Sequence, residues 1–218
     1  MTDDPLERAR QLYERAVFGG DASALQVADR ELDALDAGLC LARGRIMHAR
    51  ALADRHPDPR ELALFERAAT LFAQLGDRRG EAEATFWIGT YHQVLARDQQ
   101  AARPALERAR SLAIELDDAL LLSYAVRHLG FAAAMADGDL ERARTLLEES
   151  LRLRRALDFQ PGVAAALLAL GELETRAGNR PQAGRLLDEA QQVAIASQAN
   201  GILHWIEQAQ TELRESGT

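Results

Sequence analysis

Lysine is missing altogether: every one of the 26 basic residues is arginine. A GC-rich coding bias explains such a swap better than function does, and its one consequence is the loss of lysine as a binding group. Cysteine occurs once, as Cys40, which excludes an intrachain disulfide and fits a reducing, cytoplasmic setting. Aromatic residues are only 5% of the chain, too few for a thick globular core. A positive surface is lacking as well: the formal net charge is −8 and the pI about 5.2, whereas binding to phosphate backbones wants clustered cations. No apolar run approaches the ~20 residues of a membrane span. The N-terminus, MTDDPLERAR, lacks the basic and apolar regions of a signal peptide. The five histidines show no ligand spacing, glycine-rich phosphate loops are absent, and no nucleophile stands with an evident base. Catalytic residues, metals and cofactors are therefore expected to be none, and nucleic acid and membrane are excluded as partners.

What is present is a repeat. The segments Phe65-Glu-Arg-Ala68, Leu106-Glu-Arg-Ala109, Leu147-Glu-Glu-Ser150 and Leu187-Asp-Glu-Ala190 step by 41 (106−65), 41 (147−106) and 40 (187−147) residues. Gly89, Gly130 and Gly171 follow the same period (130−89 and 171−130 are both 41), each behind an aliphatic residue. One step upstream of Gly89 the register falls on His48. A period of this length holds two amphipathic helices and a short turn, and no window alternates long enough for a strand. With 47% hydrophobic residues the chain has enough apolar content to bury a continuous core along one array.

Leu167-x-x-Leu170-Gly171 followed by Ala183-x-x-x-Leu187 and Ala190 resembles the tetratricopeptide family. The copies Thr85-x-x-Ile88-Gly89 with Ala102, Leu106 and Ala109, and Val126-x-x-Leu129-Gly130 with Ala143, Leu147 and Ser150, repeat the pattern. The family's Trp, Tyr and terminal Pro positions are not kept, and the period exceeds the usual ~34 residues. In its length the repeat is most similar to the helical arrays of large bacterial transcriptional activators; a HEAT-like array, at ~40–47 residues per repeat, is the alternative. The resemblance implies an all-α, right-handed α-solenoid of about five tetratricopeptide-like helix pairs plus a C-terminal capping helix, one domain over residues 1–218. The pairs are expected at 5–35, 36–75, 80–116, 119–157 and 161–197, and the cap at 202–214. His56-Pro57-Asp58-Pro59 reads as an enlarged turn within the array, because two prolines end a helix.

In the family, ligands lie along the first helices on the concave side. Carried over by position, that groove holds Glu83, Phe86, Trp87, Thr90 and Gln93 from one helix, Tyr124, Arg127, His128 and Phe131 from the next, and Glu172 from the third. Any single aromatic here is as well explained as core; the argument for a groove is that scarce aromatics gather in two consecutive inner helices. Arg127 stands out, since a groove-facing guanidinium can grip a carboxylate bidentately; an ion pair with a glutamate such as Glu83 is its ordinary explanation. The charged runs LERAR and LEESLRLRR read as a solvated face. The function expected is a non-catalytic protein- or peptide-binding module, an adaptor or regulator, with a homodimer through the cap helix also open. A small-molecule sensor or unusual enzyme is the alternative, with Tyr124, His128, His92 and Glu83 as its polar groups.

Overall fold

The structure, a computed structural model, describes residues 4–54, 56 and 58–215; Pro57, part of the expected turn, lies outside them. Among the described residues there are ten α-helices and no strand. They are α1 (Pro5–Gly19), α2 (Ser23–Asp54), α3 (Pro59–Leu75), α4 (Arg78–Thr90), α5 (Gln99–Glu115), α6 (Ala119–Ala132), α7 (Leu140–Ala156), α8 (Gln160–Arg176), α9 (Arg180–Ala196) and α10 (Asn200–Glu215). The chain forms two compact units, Met1–Arg108 and Ala109–Thr218. In the first, α1 packs on α2, α2 on α3 and α3 on α4. In the second, α6 packs on α7, α7 on α8 and α8 on α9, with α10 against α8 and α9.

Helix starts follow their capping residues. Asp4, Asp58, Asp77, Asp118 and Asp139 each accept a backbone N–H from the first turn they precede. The repeat is written into the backbone at helix ends. Left-handed residues fall at Gly76, Asp117, Asp158 and Gln198, stepping by 41, 41 and 40, and at Arg97, Gly138 and Gly178, stepping by 41 and 40. Where the position is glycine the conformation is unstrained; at Arg97 it costs about 1 kcal/mol. Arg97→Gly should accordingly raise the melting temperature by roughly 1–4 °C once the looser unfolded chain is discounted; a thermal melt showing a decrease would contradict the turn geometry.

The leucine–glycine positions are where paired helices cross. A Cβ at Gly89 would stand 2.7 Å from the Leu106 side chain, at Gly130 3.0 Å from Leu147, and at Gly171 2.7 Å from Leu187. Those leucines and the alanines Ala102, Ala109, Ala143, Ala183 and Ala190 are buried, so small residues set the close approach and leucine fills it. One repeat before Gly89 the matching contact is made by Gly44 on Phe65, at 2.5 Å, one helical turn before the His48 register.

Three features depart from the sequence expectation. The turn between Leu35 and Asp36 does not exist: α2 runs unbroken through it, so one helix serves both α1 and α3. No glycine, proline or asparagine stands between Ala34 and Ala37 to end a helix, and Asp36 accepts from Arg67 of α3 at 2.8 Å instead of capping a new one. Both α4 and α6 continue into five-residue π-helical turns, Tyr91–Leu95 and Ala133–Asp137. Finally, Ala119–Asp137, 19 residues, is long and apolar enough by length and composition to cross a membrane, but 56% of that stretch is buried within the fold, where Leu121, Val126 and Leu129 belong to the core. The last helix, α10, lies against α8 and α9, burying Ile206 and Ala209 while Trp205 stays half-exposed.

Candidate functional site

The expected groove residues fall five to each unit. In the first, α4 and its π turn carry Glu83, Phe86, Trp87, Thr90 and Gln93. Phe86, Thr90 and Gln93 are buried; the Thr90 hydroxyl donates to the Phe86 carbonyl at 3.0 Å, and the Gln93 amide donates to Gln99 at 3.1 Å. Trp87 stacks on Phe65 with ring centroids 5.7 Å apart. Glu83 accepts from Arg45 at 3.1 Å. In this unit the aromatic set is packed into the core, as the ordinary reading of single helical aromatics has it.

Beneath Trp87 lies a buried polar pair. The His48 ring meets Trp87 edge-on at 5.2 Å, and its Nδ1 lies 2.8 Å from a carboxyl oxygen of Glu61. Both residues are buried, Glu61 completely, and its second oxygen has no partner. Burial pushes the Glu61 carboxyl up to about 7 and holds His48 down at about 4, so near neutral pH the pair keeps a single proton in apolar surroundings.

The second unit holds Tyr124, Arg127, His128, Phe131 and Glu172. His128 is buried, 5.8 Å from the Phe131 ring. Arg127 is half-buried with its guanidinium 4.5 Å over the Phe131 ring. Its Nε is enclosed and makes no hydrogen bond. A second arginine that the sequence reading took for solvated face, Arg154, is only 1% exposed. It donates to the Gly162 carbonyl at 2.9 Å and to the Ser123 hydroxyl at 3.3 Å, lies 4.8 Å over the Tyr124 ring, and leaves one terminal nitrogen unpartnered. Ser150, at a repeat position held elsewhere by alanine, donates to the Ser123 carbonyl at 2.7 Å and completes this network.

Both arginines occupy slots that the other repeats give to apolar residues. Arg127 stands 41 residues after Phe86 and 41 before Leu168; Arg154 stands in series with Phe72, Ala113 and Ala194 (113−72 = 41, 154−113 = 41, 194−154 = 40), and all five of these neighbours are buried. That was the available signal for Arg154: it lies seven residues after Leu147, on its buried stripe. Burial lowers the pKa of each guanidinium to about 10, with the charge of Arg127 adding to the effect at Arg154. Both stay charged at neutral pH. Among the described residues no carboxylate forms an ion pair with either; Glu172, its own carboxyl raised by burial and lowered by Arg127, acts on Arg127 only at longer range. Two positive charges share one apolar neighbourhood, with Glu172 as the carboxylate that acts on Arg127.

Elsewhere, a cleft of about 900 Å³ lies between α2 and α3, lined by Ile46, Met47 and Leu64 and edged by Arg43, Arg50 and Arg67. The sequence reading did not mark it, because its arginines are spread over two helices.

No protein-family model and no curated protein matches the sequence. Among solved structures the chain is similar to BtubC (BKLC) from P. vanneervenii, at 18% identity and a TM-score of 0.51, over 89% of this chain and 89% of that one. At that identity the likeness is one of fold: an all-α, helical-repeat architecture.

Proposed function

We propose that this chain is a non-catalytic protein- or peptide-binding module, a tetratricopeptide-like right-handed solenoid working as a cytoplasmic adaptor, which takes an acidic group of its partner at Arg127. The observation that supports this is the pair Arg127 and Arg154: charged side chains in core slots, each with an unpartnered N–H and neither ion-paired to a carboxylate among the described residues. Buried charge without a counter-ion is costly. A carboxylate arriving from outside lowers that cost and gains charge-assisted hydrogen bonds of about 1.5–3 kcal/mol. Arg154 is held by Ser123 and Gly162 and supplies field; Arg127, less buried than Arg154 and resting on the Phe131 ring, makes the contact. The neighbouring ring gives the partner an apolar surface beside the charge.

Screening the full chain against a displayed random-peptide library tests this. Recovered peptides should be enriched in Asp, Glu or a free C-terminal carboxylate, and Arg127→Gln should weaken their binding at least tenfold, about 1.4 kcal/mol, without lowering the melting temperature. Arg155→Gln, which removes an exposed pair with Glu189, should bind as wild type. Peptides with no acidic bias, or equal binding by Arg127→Gln, would sink the assignment.

A further inference from the structure

The proposed acidic-group site leaves the other unit unexplained. Of the eighteen large hydrophobic side chains exposed among the described residues, eleven lie on α1 and α2. On α2 they are ordered. Leu25, Leu32, Leu39 and Ile46 follow one another at seven-residue steps and are 44%, 36%, 45% and 53% exposed. Three residues after each comes Ala28, Leu35, Ala42 or Ala49. Ala28 is covered by the fold, but Leu35, Ala42 and Ala49 are open. A single helix on a globular surface drifts away from a strict seven-residue register; the register is kept where a second helix follows it. The C-terminal half of α2 buries its opposite side, Ala37, Cys40, Leu41, Gly44, His48 and Ala51, toward α3 and the core, so from Leu32 to Ala49 this seam lies open.

Charge specifies the occupant. Beside the seam, at the positions following the smaller residues, stand Asp29, Asp36, Arg43 and Arg50: acidic in the first half of the helix, basic in the second. The order is self-complementary on reversal, Asp29 facing Arg50 and Asp36 facing Arg43, because each pair sums to 79. Steric fit points the same way. Reversal about nearly the same centre sets Leu39 opposite Ala42 and Leu32 opposite Ala49, large against small, with Leu35 opposite Ile46 between them, whereas a parallel pairing stacks alanine on alanine and aspartate on aspartate. Asp29, Arg43 and Arg50 form no ion pair among the described residues, and the latter two edge the cleft between α2 and α3, on the side where the acidic half of a reversed helix would run.

We infer that α2 is a homodimer interface, in which two copies of this chain pair their second helices antiparallel along the Leu25–Ile46 seam, with the acidic half of each against the arginine-edged cleft of the other. The contact is isologous, so it closes at two subunits, and the three heptads that overlap on reversal, Leu32 to Ala49, reach the lower end of the length that marks such seams.

Sedimentation equilibrium of the full chain over a dilution series reads this directly. Wild type should be dimeric at low micromolar concentration, and Leu39→Glu, at an exposed position, should weaken the dimer at least tenfold with unchanged helicity. Asp29→Arg and Arg50→Asp should each weaken it at least tenfold alone. Mixed in equal amounts they should form a heterodimer, and the double variant should dimerise with itself again. Wild type monomeric at roughly 100 µM, far above the micromolar range, overturns the inference. So does a dimer indifferent to Leu39→Glu and Asp29→Arg, or one dissolved instead by Trp205→Glu in the closing helix. A parallel pairing overturns it too: there each single variant exchanges one like-charge contact for another and dimerises no more weakly than wild type.

Discussion

His48→Ala is expected to cost about 3–5 kcal/mol, the scale for breaking a buried pair while leaving one member behind. Glu61 is wholly enclosed and its second oxygen already lacks a partner; removing the imidazole 2.8 Å from the first strands the whole carboxyl in apolar surroundings and opens a void beneath Trp87. Replacing both residues by leucine should recover most of the loss, because the penalty belongs to the stranded group and not to the missing bond. Urea denaturation of His48→Leu, Glu61→Leu and the double variant forms the test: additive losses would contradict the coupling. The pair also sets a pH profile. His48 titrates near 4 in the folded chain against an ordinary 6.5, so the unfolded chain binds the extra proton between those values, and acidification there is destabilising. Glu61 titrates near 7 against an ordinary 4.5, so the folded chain holds the extra proton, and stability is lost as pH rises through 7. Between about 4.5 and 6.5 the two oppose each other. The expected pair contribution is level across that window and declines on both sides, and the cost of His48→Ala should be smaller at pH 5 than at pH 8, where Glu61 must ionise alone.

Gly89→Leu should be the most damaging single change at a helix crossing, at about 3 kcal/mol or more. Even a Cβ there stands 2.7 Å from the Leu106 side chain and 3.1 Å from its backbone nitrogen. A leucine side chain can swing away; a backbone nitrogen inside a helix cannot, so α4 and α5 must separate. Gly184 gives the control, since a Cβ there meets nothing within 4 Å: Gly184→Ala should stabilise by up to about 1 kcal/mol through helix propensity alone. Chemical denaturation distinguishes them. If Gly89→Leu fell within about 0.5 kcal/mol of wild type, a surface-like change, the close crossing would be wrong.

The repeat was legible because its determinants are local. Turn residues, capping aspartates and small–large alternation sit in the chain at a fixed step, and the left-handed positions and the Gly89, Gly130 and Gly171 crossings follow from them. Where the arithmetic of the repeat was followed against local chemistry, it failed: the period asks for a turn near Leu35, but no residue there ends a helix, and α2 continues. The π-helical turns after Thr90 and Ala132 have no side-chain signature to read. Face assignment marked Arg127, yet it tells the side of a helix and not how deeply neighbours cover it, so Phe86, Thr90, Gln93 and His128 are buried where contact surface was expected. Arg154 was hidden in a charged run; only comparison with Phe72, Ala113 and Ala194 shows that it fills a core slot.

The unbroken course of α2 has a mechanical consequence. At 32 residues it is a rod about 48 Å long, clasped by α1 toward one tip and by α3 toward the other. A loop at its middle would absorb a tug on α1; a stiff rod delivers it, as a lever does, to the far tip, where His48 rests on Glu61.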